Sequence, residues 1–144
     1  MNSDRAGLVD TNILILRASL DHTRLPDVVS ISAVSLAELS AGPHHTDDPM
    51  ERARRLEVLQ RVESEFDALP FDANAARAFG VVSAAVLTAG RTTRRRLADL
   101  MIASVAMGNR LPLYTTNPRD FLGLEGLLAI RPVPVVTGPL STAR

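Results

Sequence analysis

The sequence predicts an α/β domain, with a mostly parallel central sheet flanked by helices on both faces. Short apolar segments such as "GLVD", "DVVSISAV" and "LPLYTT" alternate with longer stretches patterned as helices. The strand-like segments lack a period of two, as strands buried on both faces do, and alternation with helices makes such a sheet parallel. The chain of 144 residues shows no repeat, low-complexity block or internal linker. That length forms one domain able to bury a core without staples. Residues 1–136 are read as the domain and 137–144 as a short C-terminal tail.

The elements follow in order. "GLVD" is a buried strand, and a helix runs from Thr11 to about Leu20. "DVVSISAV" is a second strand, leading into a helix at "SLAELSAG". After the loop "GPHHTDDP", an amphipathic helix spans Pro49 to Glu65, with Leu56, Leu59 and Val62 as its apolar stripe. "FDALPF" makes a third strand. An Ala/Val-rich helix then runs from Ala73 to about Leu87, ending before Gly90. Another helix spans Thr93 to Met107 and stops at Gly108. "LPLYTT" is a fourth strand, "FLGLEGL" a helical turn, and "LLAIRPVPVV" the last strand.

Composition removes several function classes. The chain has no cysteine, so disulfides, thiolate metal sites and thiol nucleophiles are excluded. All 16 basic residues are arginine, which excludes a lysine Schiff base and a P-loop. No GxSxG elbow occurs. Formal net charge is +0, so overall charge points to no polyanionic partner. "MNSDRAG" lacks a signal-peptide core and no apolar run approaches a membrane span, so a cytoplasmic protein without membrane contact is expected.

Four acids carry the chemistry. Asp10 interrupts the apolar "LVDTNILIL", where an ionised carboxylate must be paired, hydrogen-bonded or cation-bound. It can also cap the helix at Thr11. Glu38 lies three residues after Ser35, a capping-box spacing, and Asp120 in "TTNPRDF" can cap the turn that follows. Asp99 is read well inside the helix "RRRLADLMIASVAM", where Asp is a poor helix former and has no cap to make. Its neighbours there are Ile102, Ala103 and Ala106, an apolar face that desolvates a carboxylate and raises its pKa.

In an α/β sheet, Asp10, Ser35–Glu38 and Thr116–Asp120 fall at the carboxyl ends of strands, where ligands bind. Several carboxylates in one pocket cannot all ionise uncompensated, and a divalent cation resolves the repulsion. An all-oxygen site with few histidines favours Mg²⁺ or Mn²⁺ over zinc. Such an ion would sit between Asp10 and Asp99, with Glu38 positioning or deprotonating an attacking water.

"LVDTNILI", "SISAVSLAEL", "RLADLMIASVAM" and "PLYTTNPRDF" resemble, in order and spacing, the four sequence blocks of PIN-domain ribonucleases, and most nearly those of the VapC toxins of toxin–antitoxin pairs. The resemblance runs from Leu8 to about Val135. It implies Mg²⁺- or Mn²⁺-dependent cleavage of RNA, tRNA or ribosomal RNA among the targets, a homodimer, and neutralisation by a cognate VapB-like antitoxin. By position, Asp10, Glu38 and Asp99 match the three acids of the family's site, and Asp120 matches the acid before the phenylalanine. Many relatives have an acid where this chain has Asn117, which leaves a second metal open. Thr11, Asn12 and Thr115 or Thr116 stand as supporting polar groups.

Two other readings compete. One is a catalytically silent PIN-fold module that binds RNA or protein, favoured by Asn117. The other is an acid-site phosphatase, which would need an acid where Asn12 stands.

The run "RTTRRR" puts Arg91, Arg94, Arg95 and Arg96 at the start of the helix that carries Asp99. Cations there oppose the helix dipole, at a cost of about 0.3–1 kcal/mol each. Phosphate contact beside the metal site is the functional reading, and a solvated charge run the bland one. The segment "HHTDD" (His44, His45, Asp47, Asp48) reads as a solvent-exposed loop rather than a second metal site. The Val81, Val82, Ala85 and Val86 face reads as core, part of it available to a homodimer. The helix around Leu56 and Leu59 offers a groove for an antitoxin segment.

Overall fold

The computed structural model describes residues 4–136, so the tail at 137–144 lies outside the described residues. The chain runs β1 (Ala6–Val9), α1 (Thr11–Ile15), β2 (Val28–Ser32), α2 (Ala33–Ala41), α3 (Pro49–Glu65), β3 (Ala68–Leu69), α4 (Ala73–Thr88), α5 (Leu97–Gly108), β4 (Leu113–Thr115) and β5 (Ile130–Pro132). The strands form one parallel sheet in the order β3-β2-β1-β4-β5. Chain order therefore reverses at β1: β2 and β3 build outward on one side, β4 and β5 on the other. The crevice beyond the carboxyl ends of β1 and β4 is the switch point where such sheets bind ligands.

Successive strand residues feed opposite layers, because side chains alternate across a sheet. Leu8 and Leu113 pack with Val82, Val86, Leu100 and Ile102, under α4 and α5. Their neighbours Val9 and Tyr114 pack with Ile13, Ile31, Leu39 and Val62, on the face covered by α1 and α3. Both faces are covered, as the lack of a two-residue period requires.

Three elements depart from the sequence reading. The first helix does not reach Leu20. It ends at Ile15, the chain passes through a 3₁₀ turn at Arg17–Ser19, and Leu20 becomes extended to bridge Val135. Arg17 stays near this break by forking onto Glu65 at 2.8 and 2.5 Å and by stacking over Phe66. In α3 the buried side passes through Val58, Leu59 and Val62, while Leu56 is exposed. The fifth helix starts at Leu97, not Thr93, because Arg94–Arg96 form a separate 3₁₀ turn.

Gly108 does not stop that helix. Helix α5 includes it and ends through Asn109 and Arg110, which takes a left-handed φ of 56°. A Cβ on Gly108 would lie 3.3 Å from the backbone nitrogen of Ala75 and 3.4 Å from the carbonyl carbon of Asn74. Glycine stands there because the start of α4 crosses α5 at backbone contact.

Candidate active site

Asp10 leaves β1 with extended backbone and caps α1, its Oδ1 accepting the Thr11 N–H at 2.7 Å. Its Oδ2 accepts the Thr115 hydroxyl at 2.9 Å from the end of β4. Only 4% of Asp10 is exposed. Burial pushes its pKa up, the two hydrogen bonds oppose that, and the like charges of Glu38 and Asp120 add to it. The capping role and a metal-holding role are compatible, since each oxygen keeps a further lone pair.

Glu38 is not a capping-box acid. Helix α2 begins at Ala33, capped by Ser32, whose hydroxyl accepts the Ser35 N–H at 3.1 Å. Glu38 therefore sits mid-helix. Its Oε1 accepts the Thr11 hydroxyl at 2.6 Å, and Thr11 Oγ1 lies 2.8 Å from Ser35 Oγ. With Thr11's one proton committed to Glu38, Ser35 is the donor to Thr11. Ser35 thus belongs to the site's support, through a contact spanning 24 residues in sequence.

Asp99 is not the mid-helix residue that the sequence suggests. Because α5 starts at Leu97, Asp99 occupies the first turn, where an acid complements the helix dipole. The apolar face is nonetheless real: Ile102, Ala103 and Ala106 are fully buried. Asp99 is half-buried, and no donor among the described residues hydrogen-bonds its carboxylate. Burial first, then the charges of Asp10, Asp120 and Glu38, raise its pKa to about 7 against the moderating Arg96.

These three acids line one cleft of 490 Å³, with Thr11 and Asn12 beside them and Glu51, Arg54, Arg55 and Val58 of α3 as a facing wall. The arginines of that wall were missed in the sequence, where they read only as the polar face of α3. Asp120 does not line the cleft. Its Oδ1 accepts Arg96 Nη1 at 2.5 Å and its Oδ2 accepts Asn117 Nδ2 at 3.0 Å.

Of the supporting groups, the structure brings in Thr115 rather than Thr116, for which no hydrogen bond is found among the described residues. Thr115 also accepts the Asn117 N–H at 3.0 Å. Arg91, Arg94, Arg95 and Arg96 all lie off the cleft lining. Arg91 donates to the Arg119 carbonyl at 3.1 Å and Arg96 is held by Asp120, whereas Arg94 and Arg95 are exposed. In "HHTDD", Asp48 caps α3 and the histidines close a 3₁₀ turn.

The donors suit a hard cation. All are oxygens, but among the described residues no three acidic or histidine side chains stand close enough together to hold a metal ion as a group. Mg²⁺ does not require such a group, since it keeps several waters and takes one or two carboxylates. The unpaired, destabilised charge of Asp99 beside Asp10 is what such an ion would relieve.

The fold and this cleft define a PIN domain, and the chain belongs to that family: the family's model matches residues 7–126. It is similar to ribonuclease VapC5 of Mycobacterium tuberculosis, 36% identical over 128 residues, covering 87% of this chain and 92% of the relative. It is also similar to the tRNA(fMet)-specific endonuclease VapC of Shigella flexneri, 35% identical over 131 residues, covering 83% and 92%. Among solved structures, VapBC-5 of Mycobacterium tuberculosis, a member of the VapBC toxin–antitoxin systems, superposes with a TM-score of 0.78 at 35% identity. That match covers 91% of this chain and 99% of the other. DNA-bound VapBC of Salmonella typhimurium, at 24% identity and a TM-score of 0.68 over 90% and 98% of the two chains, shares the fold. Among the described residues no helix is long and apolar enough to cross a membrane.

Proposed function

We propose that this protein is a metal-dependent endoribonuclease toxin, neutralised by a cognate VapB-like antitoxin. The observation that carries the reading is the convergence of Asp10, Glu38 and Asp99 on one cleft at the carboxyl end of the sheet. The names of the VapC relatives support RNA cleavage, and the VapBC complexes support an antitoxin partner. A structured RNA such as tRNA is the proposed target, and the cytoplasm the proposed setting.

Asp10 and Asp99 would hold the ion, Mg²⁺ or Mn²⁺. When bound, it supplies Lewis-acid activation and charge neutralisation at a phosphodiester. The protein's own groups do the rest. Thr11 N–H and the Thr115 hydroxyl fix Asp10, so its carboxylate needs no reorganisation. Glu38, steadied by Thr11 and open to the cleft, positions the attacking water and accepts its proton. Asp120 acts from outside the cleft: it holds Arg96 close enough to moderate Asp99, with Asn117 bracing it. Arg94 and Arg95 extend a phosphate-binding surface beside α5, joined by whatever Arg91 and Arg96 can spare from their protein partners. Exposed Val81 and partly buried Ala85, one turn apart on α4, are the proposed homodimer face.

The deciding experiment is cleavage of total RNA by the purified protein in Mg²⁺ or Mn²⁺, in EDTA, and beside folded Asp99→Asn. Metal-dependent cutting absent from Asp99→Asn is expected. Equal cutting by both proteins would place the chemistry elsewhere, and no cutting of any RNA by a folded protein would favour a silent binding module.

A further inference from the structure

The wall that α3 gives the cleft has a charge of its own. Glu51 stands one turn before two arginines and serves both. Its Oε2 accepts Arg55 Nε at 3.0 Å, and its Oε1 lies 3.5 Å from Arg54 Nε. One carboxylate against two guanidiniums leaves this wall with a net positive charge, opposite a floor of three acids. The arginines do not neutralise that floor. No ion pair joins either one to Asp10, Glu38 or Asp99, and the cation that moderates Asp99 is Arg96.

The two arginines differ in how they are held. Arg55 is braced, since its Nη1 also donates to the Gly42 carbonyl at 2.9 Å. The Arg54 side chain is 60% exposed and only loosely paired. One guanidinium is thus preorganised and the other free to turn toward a ligand, and both line the cleft.

An RNA strand crossing this cleft presents a row of phosphates. The one over Asp10 and Asp99 would rely on an ion held there, but its neighbours would meet carboxylates unless another cation received them. A guanidinium fork matches two phosphate oxygens at once.

We propose that Arg54 and Arg55 form a phosphate seat on α3 for the RNA backbone beside the phosphate that lies over the acids. The seat rests on the ribonuclease reading and adds the path of the substrate. It sets the strand across the cleft beside α3, so that this wall holds the backbone next to the phosphate over Asp10 and Asp99.

The test is salt-dependent binding of a fluorescein-labelled single-stranded RNA of about 20 nucleotides, followed by anisotropy between about 50 and about 200 mM NaCl. The parent is Asp99→Asn, which leaves the RNA uncut. Each guanidinium withdrawn from a phosphate lowers the slope of log Kd against log salt by about 0.7. Arg54→Gln is expected to lower it by about 0.7 and the Arg54→Gln/Arg55→Gln pair by about 1.4, while Arg55→Lys keeps the parent slope. Arg77→Gln, an exposed arginine of α4 outside the cleft, should leave it unchanged. Thermal melting checks each fold, and Arg54→Gln, whose only ion pair among the described residues is to Glu51, decides alone if the Arg55 variant unfolds.

RNA binding with an unchanged slope in Arg54→Gln overturns the seat and leaves the ribonuclease reading standing. That result would point to an acidic protein segment as the occupant of this wall. An equal fall in Arg77→Gln would show diffuse attraction and overturn it too. A folded parent that binds no RNA overturns the ribonuclease reading and the seat together.

Discussion

Replacing Asp99 with Asn should stabilise the metal-free protein at neutral pH. The Asp99 carboxyl titrates at about 7 in place of 3.8, chiefly from burial and secondarily from Asp10, Asp120 and Glu38. A folded-state pKa above the unfolded one means that the folded protein holds an extra proton between those values. The stability contribution is therefore greatest below about pH 4 and falls as pH rises toward 7. At ~1.4 kcal/mol per pKa unit the whole gap is worth about 4 kcal/mol. Asp99 is only half-buried, and solvent screening reduces this to on the order of 1–2 kcal/mol.

Asn has nearly the same shape and no charge to desolvate. In EDTA at about pH 7.5, Asp99→Asn should melt about 3–8 °C above wild type, and at about pH 4 the difference should shrink by more than half. Mg²⁺ should raise wild type and leave the variant unmoved. Circular dichroism melts read all three effects. The carboxylates held low by partners, such as Asp4 on Arg131, lose their contribution only under more acidic conditions and are common to both proteins. A variant less stable than wild type at both pH values, or a gap that does not widen with pH, would refute the reasoning.

Other expectations follow from the same contacts. Thr11→Val removes the donor that steadies Glu38 and should lower kcat/KM for RNA about 10–100-fold, with Thr11→Ser recovering most of it. Asp120→Asn should cost about tenfold or less, against on the order of a hundredfold or more for Asp10→Asn, because Asp120 faces Arg96 and Asn117 rather than the cleft. Single-turnover rates on one RNA would check the order. Gly7→Ala should destabilise by about 1–3 kcal/mol in urea unfolding, since a Cβ there meets the fully buried Tyr114 ring, 2.7 Å from Cδ1.

What could be read in the sequence was what local pattern controls. The parallel α/β sheet followed from apolar strands without a period of two, and α3 from its Pro49 start and amphipathic spacing. Asp10 stood out because a carboxylate in "LVDTN" violates the pattern around it. The features that escaped depend on partners distant in the chain. A start of α5 at Thr93 fits the local pattern because nothing local reveals that Arg96 turns aside to Asp120, 24 residues on. Misplacing that start makes Asp99 a mid-helix anomaly; its actual strain comes from burial and from like charges carried by three other elements. Glu38 mimics a capping box because Ser35 precedes it by three, yet Ser32 holds the cap. Thr115 and Thr116 look alike in sequence, and only the pairing of β4 with β1 sends the former to Asp10. Arg54 and Arg55 look like ordinary solvated helix charges until α3 is placed against the cleft.

The hydrogen bond from Thr115 to Asp10 spans 105 residues, and it joins the two parallel strands at which the strand order reverses. Contacts so remote in sequence form late, after loop-closure entropy has been met. During synthesis from the N-terminus, Asp10 and Glu38 emerge well before the strand that fixes Asp10. An incomplete chain holds its acids without the frame that aligns them. The order of translation thus sets when the site exists: it comes into being only with β4 in place.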